Sequence, residues 1–317
     1  MDRPLWVEAL PRARPWGGRH LGGADGLSEP TGELLVAGPA HRVVGGPFDG
    51  WSLDDLAAAC GDSFLGFDGM ARRGGRFPLL TKIIDAAAWL SVQVHPDDTT
   101  ARRLVGPETI GKTEAWHVIA ADPEARLIVG PRPGVGAAEL QAALGSPELI
   151  DLLDACPATA GMSVTVPAGT LHAIGPGVLL FEIQQPSDTT FRVYDWDRPA
   201  GPDRPLHLTE ASAALDPVSR ALVAEAPTDV SAVIAMSPYF RLRRLRTDNS
   251  SIALEADGSS VRVVTVTEGE VQIEGPNWIE RLTPFRTVVL PASLGAYRVA
   301  SFGQAVTLIA DVPPFHP

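Results

Sequence analysis

The side chains best suited to metal chemistry lie in two short, mostly apolar segments. In SVQVH, residues 91–95, polar and apolar residues alternate, so a β-strand would place Gln93 and His95 on one face and the valines on the other. In GKTEAWHVI, residues 111–119, Lys112 and Glu114 show the same alternation. A carboxylate beside an imidazole and a carboxamide oxygen forms a mixed nitrogen and oxygen ligand set that suits a divalent ion.

A fourth candidate ligand follows a turn rich in small residues. The segment GMSVTVPAGTLH, residues 161–172, fits G-x5-P-x-G-x-x-H, the second sequence motif of the cupin superfamily of jelly-roll barrels. Pro167 and Gly169 predict a tight turn between two strands, after which His172 points into the barrel. The corresponding position near the C-terminus is Tyr297, a poor ligand for a divalent ion, so we expect a metal in the first barrel only.

Each candidate ligand has a simpler interpretation when it is taken alone. An isolated histidine is more often a hydrogen-bonded core residue, and a lone glutamate or glutamine is more often solvated. The turn motif and the shared strand faces favour ligation for the group as a whole. We therefore predict a metal site formed by Gln93, His95, Glu114 and His172, and four such ligands suit tetrahedral zinc.

A third segment, FEIQQPSDTTFRVYD, is dense in polar side chains and spans residues 181–195. Glu182 and Arg192 are its candidate catalytic groups. An equally acceptable interpretation is a hydrogen-bonded strand corner in which Asp188 or Asp195 neutralises Arg192. The spacing does not decide between the two.

The elements that must position these residues are short strands bounded by Gly, Pro or Asp. They predict a mainly β chain with two cupin/jelly-roll β-domains and a few short helices packed outside. We expect residues 1–225 to form a catalytic metal-binding cupin domain, and residues 226–317 to form a degenerate cupin-like domain without metal. Helices are predicted at 52–60 and at 137–155, the second interrupted at Gly145.

Bulk composition narrows the possible partners. The chain has 317 residues and a net charge of -12, which argues against a nucleic-acid or anionic-membrane partner. Because no signal-type or membrane-spanning segment is evident, we expect a soluble cytoplasmic protein, and a monomer is the default expectation. Cys60 and Cys156 have no metal-type spacing.

Three long segments in a fixed order carry a family resemblance. They read FPLLTKIIDAAAWLSVQVHPDD, GKTEAWHVI and GTLHAIGPGVLLFEIQQPSDTTFRVYDWDR. The sequence resembles type I phosphomannose isomerases in their short bacterial form, over most of residues 10–215. The resemblance implies one zinc ion per chain, a sugar phosphate substrate, and interconversion of mannose 6-phosphate and fructose 6-phosphate through a cis-enediol.

Position by position, the resemblance also implies roles for individual residues. The zinc ligands of the family fall on the four residues already selected. The catalytic arginine of the family matches Arg192, the site lysine of its K-x-E pattern matches Lys112, and a site glutamate matches Glu182. Ser91 and Lys82 match positions implicated in phosphate binding. Arg198 is a further candidate for binding the phosphate.

Several alternatives stay open at this point. The catalytic base could be Glu182, a metal-bound water or deprotonated Lys112. The site could isomerise another sugar, one without a phosphate included, because metal ligands define a reaction type better than a substrate. A non-enzymatic, sugar-sensing cupin would bind metal without needing Arg192, Lys112 and Glu182. An iron-dependent dioxygenase would use more histidines.

Overall fold

The computed structural model describes residues 1–21, 30–199, 201 and 204–314, and strands predominate among them. The helices are α1 Leu53–Cys60, α2 Asp62–Arg73, α3 Asp98–Leu104, α4 Ala137–Ala143, α5 Leu149–Leu152 and α6 Leu208–Ala214. The strands are β1 Leu5–Trp6, β2 Leu10–Gly18, β3 Thr31–Ala37, β4 Leu80–Ala86, β5 Val92–Val94, β6 Glu114–Ala121, β7 Arg126–Pro131, β8 Leu153–Pro157, β9 Ser163–Val166, β10 Ala173–Ile174, β11 Val178–Gln184, β12 Phe191–Tyr194, β13 Leu222–Ala224, β14 Ser231–Met236, β15 Arg241–Asp248, β16 Ser251–Ala256, β17 Arg262–Glu268, β18 Val271–Gly275, β19 Trp278–Leu282, β20 Thr287–Leu290, β21 Gly295–Ser301 and β22 Gln304–Asp311. The predicted mainly β fold with short helices is confirmed.

The chain forms two compact units. The central unit comprises Arg12–Glu33 and Ile84–Ala226, and the C-terminal unit comprises Met1–Pro11, Leu34–Ile83 and Pro227–Pro317. These limits differ from a linear division at residue 225, because two N-terminal segments belong with the C-terminal strands. Strand pairing explains part of the difference, since β1 lies beside β20 with Leu5 opposite Val289.

In the central unit, strands β13, β9, β6 and β11 lie side by side in that order, followed by the parts of β4 and β2 that belong to this unit. Strands β5 and β12 form a separate pair, and β10, β7 and β8 form a third sheet. Val92 and Val94 of β5 pack into a cluster with residues of α4, α5 and α6. Because side chains alternate along a strand, Gln93 faces away from these helices, as its sequence pattern predicts.

The proline–glycine turn forms as predicted. It connects β9 to β10, and Gly169 adopts a φ of 87°, which favours glycine over residues with a Cβ atom. The Gly169 N–H donates to the carbonyl of His95 at 2.8 Å. The turn is therefore tied to the end of β5 by backbone atoms alone.

The first predicted helix is confirmed, and the second is confirmed as two helical pieces up to residue 152, with the predicted interruption at Gly145. Ser52 caps α1 in a reciprocal capping box with Asp55, which satisfies N–H groups at the helix start. The structure breaks the second helical segment into α4 and α5, but residues 153–155 belong to β8. The helical prediction is wrong there, because Cys156 and its neighbours pair with β7 in an antiparallel ladder.

Three helices are not predicted from the sequence: α2, α3 and α6. Gly66 interrupts α2 with a φ of 74°, so the segment lacks an uninterrupted helical periodicity. A Cβ atom at Gly66 would come within 2.4 Å of the Ser259 carbonyl oxygen, which accounts for glycine at this position.

The C-terminal unit contains two sheets that share one core. The larger has the order β1-β20-β17-β22-β15-β14 and the smaller has the order β16-β21-β18-β19. Val264 and Ile309 from the larger sheet and Ile273 and Val299 from the smaller one are buried in the same cluster. This is a two-sheet sandwich closed by apolar side chains from both inner faces. Among the described residues, no helix has the length and apolar character needed to cross a membrane.

Gly111, the residue before Lys112, lies against the backbone of Asp97 and Asp98, and a substitution there tests this close packing. A Cβ atom at Gly111 would lie 2.6 Å from backbone atoms of Asp97 and Asp98, so Gly111→Ala must shift the backbone. We expect the free energy of unfolding to fall by about 1–3 kcal/mol, measured by urea titration. Gly106→Ala is the matched control, because its nearest neighbour atom would be 3.8 Å away. Equal stability of the two variants would contradict this interpretation.

Candidate metal centre

Three of the four predicted ligands converge in the central unit. Potential ligand atoms of His95, Glu114 and His172 all lie within 4.8 Å of one another, and all three side chains are buried. The Nε2 atoms of both histidines lie 3.3 Å from Glu114, one beside each carboxylate oxygen. Two imidazoles and a carboxylate thus share one small, buried space.

Strand register brings these residues together from distant parts of the sequence. Gln93 and His172 form an antiparallel bridge, with backbone N–H to carbonyl distances of 3.1 and 3.0 Å. Glu114 is the first residue of β6, which lies between β9 and β11. The convergence of Gln93, His95 and Glu114 agrees with the strand faces predicted for these residues.

Both imidazoles are oriented by main-chain carbonyls. His95 Nδ1 lies 3.0 Å from the Thr189 carbonyl oxygen, and His172 Nδ1 lies 2.8 Å from that of Thr170. A carbonyl oxygen can only accept, so each Nδ1 carries the proton and donates it. Each Nε2 then presents its lone pair toward Glu114. This arrangement, with the outer nitrogen hydrogen-bonded and the inner one available, is typical of histidine ligands.

The electrostatics keep both imidazoles neutral at pH 7. Burial and the nearby charge of Lys112 lower the pKa of His95 to about 3, against the opposing influence of Glu114. Burial also lowers the pKa of His172. Because metal ions bind the neutral form of histidine, these shifts favour ligation over protonation.

Glu114 is ionised although it is completely buried. Burial raises its pKa, but Lys112, His95 and His172 together outweigh burial and hold the pKa well below its usual range. Lys112 Nζ lies 2.7 Å from Glu114 Oε2 and 3.1 Å from His95 Nε2. No group among the described residues meets hydrogen-bond geometry toward either carboxylate oxygen. Lys112 is thus the principal counter-charge of this carboxylate.

Gln93 is next to the three-residue cluster. Its side-chain Nε2 lies 3.2 Å from His172 Nε2, and its side chain is partly buried. Rotation of the carboxamide by 180° exchanges its nitrogen with its oxygen, which is an acceptable metal ligand. The position of Gln93 is thus compatible with the predicted set of four.

Glu182 is connected to the cluster through Trp116. The Trp116 Nε1–H donates to Glu182 Oε2 at 3.2 Å, and the two residues lie opposite each other on β6 and β11. The Trp116 ring also meets the His172 ring edge-on, with centroids 5.6 Å apart. One buried indole therefore holds both a candidate ligand and a candidate proton carrier.

Arg192 lies directly opposite Gln93 in the β5–β12 pair, so the two side chains share a face. Burial, then the charge of Arg204, lowers the pKa of Arg192. Its Nη1 donates to the Pro205 carbonyl at 2.9 Å. Asp195 forms its ion pairs with Arg198 and Arg204 instead, at 2.5 and 2.8 Å. Burial opposes these contacts, but together they lower the pKa of Asp195.

The predicted phosphate-binding residues are both buried. Ser91 immediately precedes β5, and Lys82 lies on β4 in the part that belongs to the C-terminal unit. Their role in phosphate binding stays a prediction, as do the catalytic roles of Arg192, Lys112 and Glu182.

Sequence reasoning missed the groups that orient the site. Trp116 is on the same face of β6 as Glu114, but only the register of β6 against β11 reveals its contact with Glu182. The Thr170 and Thr189 carbonyls carry no sequence signal, since every residue has one. The adjacent Pro167 and Gly169 indicate only that a fixed turn precedes His172.

Comparison with known proteins places the chain in a family. The family model "Phosphomannose isomerase type I, catalytic domain" matches residues 25–117. Mannose-6-phosphate isomerase of Streptococcus mutans serotype c is 40% identical over 221 residues, which are 67% of this chain and 67% of that protein. Mannose-6-phosphate isomerase ManA of Bacillus subtilis is 31% identical over 317 residues, covering 96% of this chain and 98% of ManA. The chain belongs to the type I phosphomannose isomerases.

Solved structures of this family share the fold. The crystal structure of mannose 6-phosphate isomerase from Bacillus subtilis has a TM-score of 0.85 and 29% identity, covering 98% of this chain and 99% of that one. A zinc-bound mannose 6-phosphate isomerase has a TM-score of 0.74 and 16% identity, covering 96% and 98%. The predicted cupin-type fold of this type I phosphomannose isomerase is thereby confirmed.

The indole contact of Glu182 can be tested by a double-mutant cycle. Trp116→Phe keeps an aromatic ring but removes the buried donor, so we expect unfolding free energy to fall by about 1–3 kcal/mol. In a Glu182→Ala background the same change should be less destabilising, by at least about 0.5 kcal/mol. Urea denaturation of the four proteins measures this difference. If Trp116→Phe has the same effect in both backgrounds, the two side chains are not coupled.

Proposed function

We propose that this protein interconverts mannose 6-phosphate and fructose 6-phosphate at a zinc ion bound by Gln93, His95, Glu114 and His172. The observation that carries the proposal is the buried convergence of two oriented imidazoles and an ionised carboxylate. Membership of the type I phosphomannose isomerases supports the reaction and the substrate. One ion and one sugar phosphate per chain, in a monomer, complete the proposal.

The residues present fit a zinc ion. Zinc accepts imidazole nitrogen and carboxylate oxygen, and both kinds of atom face each other in this site. The two Glu114 oxygens are buried without aligned donors, so a cation would satisfy them. Zinc would supply Lewis-acid stabilisation of the negative charge that develops on the sugar oxygens.

The reaction moves a proton between C2 and C1 of the sugar through an enediol. It therefore needs a proton carrier and positive charge near O1 and O2. Glu182 is our choice of proton carrier, because Trp116 fixes the orientation of its carboxylate. Lys112 is engaged by Glu114 at 2.7 Å and acts as a cation. Arg192, on the face of Gln93, provides the second positive group.

Metal binding provides the first test of the proposal. His95→Asn and His172→Asn each remove a ligand, so zinc affinity should fall at least about 100-fold, more than is typical for loss of an outer hydrogen-bond partner. Equilibrium dialysis followed by metal analysis measures the effect. His117→Asn is the matched control, because His117 is buried on the opposite face of β6. Unchanged zinc content in the first two variants would exclude this ligand set.

The second test separates catalysis from metal binding. Arg192→Ala should lower kcat roughly 100-fold or more while leaving the zinc content unchanged, because it removes charge stabilisation in the transition state. Arg126→Ala, at an exposed position on β7, should behave like the wild type. Full turnover of Arg192→Ala would show that this arginine has no catalytic role.

The substrate itself requires a separate measurement on zinc-loaded wild-type protein. During the reaction, deuterium from the solvent should be incorporated at C1 of fructose 6-phosphate. Parallel incubations with fructose and mannose distinguish an isomerase of unphosphorylated sugars. Absence of exchange with every sugar would favour a non-enzymatic cupin.

A further inference from the structure

One end of the C-terminal β-sandwich has charged side chains on its inner face. On β15, Leu245 is part of the apolar core, and strand alternation places Arg241 and Arg243 on the same side. On β17, Val264 and Val266 enter the core, so Arg262 also faces inward. Three inward-facing arginines at one end of a small core require an explanation, because guanidinium groups are strongly hydrated unless paired.

These side chains surround a cavity of about 260 Å³. Its polar lining residues are Arg243, Glu255, Arg262, Tyr297 and Asp311, with apolar surface from Ala253, Leu254 and Ile309. The cavity is open enough to admit small molecules and is slightly smaller than pockets for drug-sized ligands, which begin near 300 Å³. The cavity volume therefore suits a metabolite no larger than a sugar phosphate.

The acids near this cavity form ion pairs with Arg241 and Arg262. Asp311 accepts two hydrogen bonds from Arg241, at 2.8 and 2.7 Å. Arg262 Nε lies 4.0 Å from the same carboxylate. Arg243 forms no ion pair or side-chain hydrogen bond within the part of the chain that the structure describes. The exposed Glu255 also lines the cavity, and the exposed Asp257 lies 3.8 Å from Arg262 Nη2. Among the inward-facing side chains named above, three are guanidinium groups and one is a carboxylate.

Tyr297 adds a neutral donor to this cavity. Arg262 Nη1 donates to the Tyr297 hydroxyl at 3.1 Å, and its guanidinium lies 5.8 Å from the ring centroid. Burial raises the pKa of Tyr297, so its hydroxyl keeps its proton and can donate to an oxygen acceptor. The hydroxyl and two guanidinium groups together form a donor set for an oxyanion.

We propose that the C-terminal unit binds a small organic oxyanion, a phosphate monoester or a carboxylate, in this cavity. Arg243 and Arg262 pair with the anionic group, the Tyr297 hydroxyl donates to it, and Leu254 and Ile309 contact its carbon atoms. The site is separate from the metal centre and does not depend on the isomerase reaction.

Hydrogen–deuterium exchange of the full-length protein can locate this binding. Addition of inorganic phosphate should slow exchange in peptides from β15, β17 and β21, and the midpoint of the effect gives the affinity. Arg243→Gln should weaken this protection roughly tenfold or more, since a charge-assisted contact is lost. Arg246→Gln, which is on the same strand but exposed on its outer side, is the matched control and should keep the wild-type response.

Further measurements make the result unambiguous. Tyr297→Phe should weaken the protection of these peptides by phosphate several-fold. This variant tests the proposal if Arg243→Gln does not fold. Phosphate and citrate are compared, with sodium chloride at matched ionic strength as reference. Protection by phosphate alone identifies a phosphate ester as the ligand, and protection by citrate alone identifies a carboxylate. The proposal is overturned if neither anion protects these strands beyond chloride, or if Arg243→Gln responds like the wild type.

Discussion

The central unit depends on one unfavourable placement, the ionised carboxylate of Glu114 in a fully buried position. Transferring such a group from water costs several kcal/mol unless nearby charges and polar atoms compensate. Lys112 provides one compensating charge, and the lone pairs of two neutral imidazoles turn toward the same point. A divalent cation would compensate this arrangement, since it would attract the carboxylate and both Nε2 atoms at once.

Much of the site could be predicted because its signals are local. Alternation in residues 91–95 indicates which face carries Gln93 and His95, and the glycine and proline before His172 indicate a turn of fixed geometry. Such signals depend only on neighbours in the sequence. The same reasoning predicted α1, where the capping residue and the first turn are adjacent.

What could not be predicted depends on contacts between distant segments. The end of the second helical prediction became β8 because β7 offered a pairing edge, which overrode local helix preference. The N-terminal residues belong with the C-terminal strands because β1 pairs with β20. The Trp116–Glu182 hydrogen bond requires a strand register, and so do the carbonyls that orient the histidines. The role of Ser91 and Lys82 in phosphate binding likewise has no local sequence signal, since it is inferred from the family resemblance.

The backbone bond from Gly169 to the His95 carbonyl, together with the reciprocal bonds between Gln93 and His172, has a consequence for evolution. The spacing between the two ligand-bearing segments is set by main-chain atoms, which every sequence possesses. The bonds between residues 93 and 172 therefore do not depend on which side chains these two positions carry. A descendant of this protein could acquire a different metal preference by substitutions at residues 93 and 172, since their backbone bonds do not involve the original side chains.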